Sequence, residues 1–118
     1  MIRGIRGAIT VDHNEETEIV AASEKLFREA IAANGITANN VVSVFISATE
    51  DLTAAFPAKA LRNIEGWTYV PVMCMKELSV PSSLEMCLRI MIHINTDIPQ
   101  QEINHIYLEG AKVLRPDL

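Results

Sequence analysis

The stretch Cys87-Leu88-Arg89-Ile90-Met91-Ile92-His93-Ile94-Asn95 decides the fold. Successive side chains of an extended strand point to opposite faces of a sheet. Leu88, Ile90, Ile92 and Ile94 therefore make an aliphatic ladder on one side, and Cys87, Arg89, Met91, His93 and Asn95 line the other. The ladder belongs beneath helices, so Arg89 must point the opposite way, into a partner surface, a cavity or water.

Working outward from this strand, Val80-Pro81-Ser82-Ser83 has a loop composition. Tyr69 to Met73 reads as a short third strand in which Pro71, lacking an N–H, calls for an edge or a bulge. Pro57 suits the first position of a helix running to about Ile64, and Gly66 marks its end. Val41 to Ala48 is apolar apart from Ser43 and Ser47 and rich in β-branched residues, as a strand inside a sheet should be. Upstream, Ile19, Val20, Leu26, Phe27, Ala30 and Ile31 form a helical stripe, which predicts a helix over 15–33. Asp12 and Asn14 offer capping oxygens, Glu15, Glu16 and Glu18 complement the helix dipole, and Asn34-Gly35 supplies a left-handed stop. Residues 2–9 alternate as a first strand, with Ile2 and Arg6 on one face and Arg3 and Ile5 on the other. Beyond the deciding strand, a short helix covers 99–104 and His105 to Leu108 reads as a fifth strand. The order β-α-β-α-β-β-α-β predicts an α+β fold: a mixed sheet with helices packed on one face and the other face open, which invites oligomerisation.

The 118 residues, 49% hydrophobic and 21% charged, suit one globular domain spanning 1–118, with no internal repeat or low-complexity run. Apolar stretches such as Ile90-Met91-Ile92 break long before bilayer length, and the amino terminus lacks the apolar segment of a secretory signal, so a cytoplasmic protein without membrane attachment is expected. A net charge of −5 without a basic stripe argues against nucleic acid as a partner. Cys74 and Cys87 form no C-x-x-C pair and no ligand-like spacing with His13, His93 or His105, so no metal and reduced thiols are expected.

Three blocks carry a family signature: Ile2-Arg3-Gly4-Ile5-Arg6-Gly7-Ala8; Phe56-Pro57-Ala58-Lys59-Ala60-Leu61-Arg62; and Tyr107-Leu108-Glu109 followed by Val113-Leu114-Arg115-Pro116-Asp117-Leu118. Between them Trp67-Thr68-Tyr69-Val70-Pro71-Val72, Cys74-Met75, Glu77 and Cys87-Leu88-Arg89 fall in matching order and spacing. Together these resemble the monofunctional α/β chorismate mutases over essentially the whole chain. The resemblance implies a homotrimer assembled as a pseudo-α/β barrel, with active sites at subunit interfaces, chorismate as substrate, prephenate as product and no cofactor.

The reaction breaks one C–O bond and forms one C–C bond in a dicarboxylate, and no proton has to move. Negative charge gathers on the ether oxygen, so a fixed cation aimed there stabilises the transition state more than the ground state. Arg89 takes that role. The rest of the catalysis is conformational, since cations on both carboxylates hold the flexible enol ether folded. By resemblance, Arg6 and Tyr107 bind carboxylate, Lys59 and Arg62 are lent by the neighbouring subunit, and Arg115 belongs to a mobile carboxyl-terminal tail. Phe56 forms an apolar wall beside the ring, with Ala58, Val72 and Met73 among the substrate-binding positions, and Leu114 closes over the substrate. Glu77 and Cys74 contact the ring hydroxyl without acting as base or nucleophile. Met73 stands where a smaller hydroxyl residue commonly precedes the cysteine, and Val80-Pro81-Ser82-Ser83 replaces a stretch that often carries glycines.

Taken without the family, these residues have plainer readings. An arginine on a strand is ordinarily a surface residue or an ion-pair partner. Lys59 and Arg62, three apart on a helix, share one face as naturally on a solvated side. Cys74 would be a small buried apolar residue, Glu77 a cap or a solvated carboxylate, Tyr107 and Phe56 core, and His93 and His105 satisfied strand histidines. Two other functions fit the pattern: a trimeric imine or enamine hydrolase holding one carboxylate on an interfacial arginine, and a trimeric sensor binding the same metabolites without turnover. The spread of Arg6, Lys59, Arg62, Arg89 and Arg115 favours a doubly anionic ligand.

Overall fold

In a computed structural model that describes residues 1–115, five strands form a single mixed sheet. They are β1 (Ile2–Thr10), β2 (Val41–Ala48), β3 (Val72–Lys76), β4 (Cys87–Asn95) and β5 (Ile106–Leu108), ordered β3-β2-β4-β1-β5. The strand that carries the aliphatic ladder is thus the central one. It pairs antiparallel with β1 and β2, while β3 and β5 add in parallel at the two edges. Pro116, Asp117 and Leu118, the end of the sequence signature, lie outside the described residues.

Leu88, Ile90, Ile92 and Ile94 are buried together with Ile5, Ile9, Val44 and Ile46 under α1 (Glu16–Asn34), which brings Ile19, Leu26, Phe27 and Ala30 to the same core. Phe27 meets Trp67 edge to face with ring centroids 6.1 Å apart, a geometry the ring quadrupoles favour. Ser23, polar by type, is also buried, and its hydroxyl donates to the Pro57 carbonyl at 3.0 Å. The bond satisfies a group that would be costly to bury alone. It also ties α1 to the 3-10 helix Pro57–Asn63.

Local expectations needed three adjustments. The cap of α1 is Glu15, whose carboxylate accepts from the Thr17 and Glu18 amides, rather than Asp12 or Asn14. Asn14 is spent on residues 53 and 54 instead. The third strand begins at Val72, three residues later than Tyr69, because Pro71 has no N–H and the ladder starts beyond it; its carbonyl still accepts from the Val44 amide. The segments after Pro57 and Pro99 are 3-10 helices, Pro57–Asn63 and Gln100–Glu102, closed by three-residue bonds such as Lys59 N–H to the Phe56 carbonyl at 3.1 Å and Glu102 N–H to the Pro99 carbonyl at 2.9 Å. Gly35 adopts positive φ as the C-cap of α1, as expected of a terminator, whereas Gly66, also at positive φ, lies in the turn after the 3-10 helix has ended at Asn63.

The second sheet face is not wholly open. A 3-10 helix over Glu109–Leu114 folds across it, anchored where the Gly110 amide donates to Thr10 Oγ1 at 2.9 Å. Ala8, Cys87 and Ala111 form a small buried cluster there, with Leu84, Tyr107 and Leu114 packed against it.

Candidate active site

Arg89 stands on the face opposite the main core, in a row of paired residues running Met75, Ser47, Arg89, Ala8 and Tyr107 across all five strands. Paired residues in neighbouring strands share a face. The two cross-strand neighbours of Arg89, Ser47 and Ala8, are small, so no large side chain flanks it along this row. Arg6 lies on the same face, opposite Met91 in the adjacent row. Its backbone N–H donates to His105 Nδ1 at 2.9 Å, and burial lowers the His105 pKa.

Glu77 follows β3 directly and reaches Arg89 on the same face. Arg89 Nε lies 3.2 Å from Glu77 Oε2, Ser47 Oγ donates to that same oxygen at 3.0 Å, and the Leu78 amide donates to Oε1 at 2.9 Å. The Leu78 amide does most to hold the Glu77 carboxyl below the ordinary glutamate value; burial opposes it, and the Ser47 hydroxyl and the Arg89 charge assist. Cys87, two residues before Arg89, is buried, and that burial pushes its thiol pKa up despite the nearby Arg89 charge. Met86 adopts positive φ at the start of this strand. Its amide donates to Asp51 Oδ2 at 3.0 Å and its carbonyl accepts from Val11 at 2.9 Å, which holds the strained residue in place.

A second concavity, about 1000 Å³, opens between the β3 edge and the 3-10 helix Pro57–Asn63. Phe56, Ala58, Lys59, Arg62 and Cys74 line it, with Glu16 at its side. Lys59 Nζ lies 3.4 Å from Glu16 Oε2. Phe56 is 76% exposed, so it is a wall presented outward and not a core residue. The loop before it hangs on Asn14, whose Oδ1 accepts from the Thr53 and Ala54 amides at 3.0 Å each and whose Nδ2 donates to Thr53 Oγ1 at 2.9 Å.

Residues 2–118 match the family model described as chorismate mutase type I. The chain belongs to that family. It is 50% identical over 118 residues to chorismate mutase AroH of Bacillus subtilis, covering all of this chain and 93% of that protein. It is 44% identical over 119 residues to chorismate mutase AroH of Thermus thermophilus, covering all of this chain and 97% of that one. The solved chorismate mutase from Clostridium thermocellum superposes with a TM-score of 0.90 at 50% identity, covering 93% of this chain and 97% of the other.

Within this chorismate mutase chain most of the residues singled out from sequence fall into two separate groups. Arg6, Glu77, Arg89 and Tyr107 share the face opposite the main core, with Leu114 beside Tyr107 in the small cluster. Phe56, Ala58, Lys59, Arg62 and Cys74 share the second concavity. Cys74 pairs with Ile46 and packs against the main core, so its thiol points away from Glu77. The two do not meet on one hydroxyl within a single chain. Val72, paired with Val44, also faces the core, whereas Met73 faces outward and is 60% exposed.

Both cysteines are free thiols. Among the described residues no cluster of His, Cys, Asp or Glu is arranged to hold a metal ion, and no helix is long and apolar enough to cross a membrane. Sequence reasoning missed Ser47 and Ser23, and read Asn14 as a cap when it holds the loop before Phe56. The signal for Ser47 and Ser23 was available, because each is a hydroxyl breaking an apolar pattern. The loop-holding role of Asn14 left none, since its partners lie 39 and 40 residues away.

Proposed function

We propose that this protein rearranges chorismate to prephenate, in phenylalanine and tyrosine synthesis in the cytoplasm, at sites each shared by two subunits of a homotrimer. One observation carries the reading: a single chain presents two cation-bearing half-sites, Arg6 with Arg89 and Lys59 with Arg62, on different surfaces. A dicarboxylate needs both, and two copies in contact bring the Arg89 face of one against the Phe56 wall of the other.

In this arrangement Arg89 faces the ether oxygen as the C–O bond lengthens, its Nε retained by Glu77 so that the guanidinium plane is set before substrate arrives. Arg6 and Tyr107 hold a carboxylate, and Arg115 and Leu114 close from the carboxyl-terminal end. The partner's half-site supplies Lys59 and Arg62 as cations and Phe56, Ala58 and Met73 as walls, with Val72 packed behind them, compressing the enol ether toward its reacting conformation. Glu77 and Cys74 approach the ring hydroxyl from different subunits. No residue serves as nucleophile or base.

Purified protein mixed with chorismate should consume its ultraviolet absorbance and yield prephenate, detected as phenylpyruvate after acid treatment. Absence of turnover above the uncatalysed rate would refute the reading and leave a sensor or a hydrolase acting on a singly charged imine. Separately inactive Arg62→Ala and Arg89→Ala subunits should regain activity when mixed, because a mixed trimer contains intact sites. Failure of the mixture to recover would refute the shared site.

A further inference from the structure

We infer that Ser47, which neither the chemistry nor the family signature singled out, is a positioning residue that sets the Arg89 guanidinium through Glu77; the inference rests on the proposed active site. Three donors hold the Glu77 carboxylate: the Leu78 amide on Oε1 at 2.9 Å, and the Ser47 hydroxyl at 3.0 Å and Arg89 Nε at 3.2 Å together on Oε2. Glu77 is tied to β2 through its own amide, which donates to the Ala48 carbonyl at 2.9 Å, and the Leu78 amide then holds Oε1, but neither bond sets Oε2, the oxygen that meets Arg89. Ser47 does. It lies in β2 directly opposite Arg89 in β4, and its short side chain leaves the hydroxyl fixed to the backbone of the strand beside the arginine.

Without that hydroxyl, Oε2 keeps only Arg89, a long side chain 46% exposed in the chain, so the carboxylate can turn about its bond at Oε1 and the oxygen that Arg89 meets is no longer fixed from β2. A cation that must meet charge developing at one atom loses its advantage when it wanders, because preorganisation is what makes the contact stronger in the transition state than in the ground state. The charged and titratable groups around Glu77 are Arg89 and Cys87 on β4, Glu50 and Asp51 in the turn after β2, Lys76 at the end of β3 and Glu85 across the neighbouring hollow. None of these is neutralised or created by replacing Ser47, so the substitution reads the hydrogen bond alone.

Ser47→Ala should lower kcat for chorismate about tenfold, the low end for a hydrogen bond to a charged group, with KM changed less. Ser47→Thr, which keeps a hydroxyl at the same position, should restore most of the loss. The carboxyl carbon of Glu77, followed by NMR in the substrate-free protein, should titrate at higher pH in the Ala variant than in the parent or the Thr variant, since a donor favouring the charged form is gone. An Ala variant with parental kcat, a loss that Thr does not repair, or an unmoved Glu77 titration would overturn the inference. Lack of turnover by the parent would instead strike the chorismate reading, and the titration remains readable in that case.

Discussion

Replacing Arg89 by citrulline separates charge from shape at the centre of the proposed site. Citrulline retains the Nε–H that lies 3.2 Å from Glu77 Oε2 and the planar end group, and loses the positive charge. If about half a unit of negative charge develops on the ether oxygen at a similar 3.2 Å, an effective dielectric of about 20, suited to a half-exposed group, gives a Coulomb gain of about 2.6 kcal/mol. That energy corresponds to roughly eightyfold in rate, near the low end of the hundred- to thousandfold, about 3–4 kcal/mol, typical of removing one preorganised donor. Arg89→Lys keeps the charge but gives up the Nε contact and the planar fork, so its loss should come from misplacement. The assay is the initial rate of chorismate absorbance loss over a range of substrate concentrations, with prephenate confirmed as phenylpyruvate. We expect kcat to fall about a hundredfold for citrulline while thermal stability changes little. A citrulline variant within about threefold of the parent would show that electrostatic stabilisation at this position is not what lowers the barrier.

Two further outcomes follow from contacts away from Arg89. Asn14→Ala removes the clamp on residues 53 and 54, so the Phe56 wall should loosen and KM for chorismate rise several-fold, with stability lower by about 1–2 kcal/mol in urea unfolding; an unchanged KM would count against the clamp. Gly7→Ala places a Cβ 3.0 Å from the Ile106 carbonyl, 3.1 Å from Leu26 Cδ1 and 3.2 Å from Ile90 Cγ1. The cost should be about 1–3 kcal/mol and a thermal midpoint lower by about 5 °C or more; an unshifted midpoint would mean that β1, β5 and α1 part without strain.

The order of elements was legible because each carries its own periodicity. β4 alternates strictly, β2 is a β-branched run, and α1 shows a stripe ended by Asn34-Gly35 with Gly35 at positive φ. Boundaries were less legible where a residue satisfies one pattern while the backbone obeys another. Tyr69 and Val70 look like strand, yet Pro71 cannot join a ladder from the N–H side, and pairing with β2 begins at Val72. The Glu109–Leu114 helix left no amphipathic stripe to read, because it covers only the small patch of Ala8, Cys87 and Ala111.

By itself the sequence determined that the chain folds around a sheet with one oily face, that Arg89 leaves that face for the other, and, through its signature blocks, which family it joins. Alternation along a strand is a local property, so side-chain direction needs no knowledge of what lies across the sheet. Only the tertiary structure decided what Arg89 meets. Its partner is Glu77, beyond an edge strand and held in turn by Ser47 in the neighbouring strand, and strand pairing, a non-local choice of register, brings them together. The same register turned Cys74 toward the core and Glu77 toward Arg89, placing on opposite faces two residues that lie three apart in the chain.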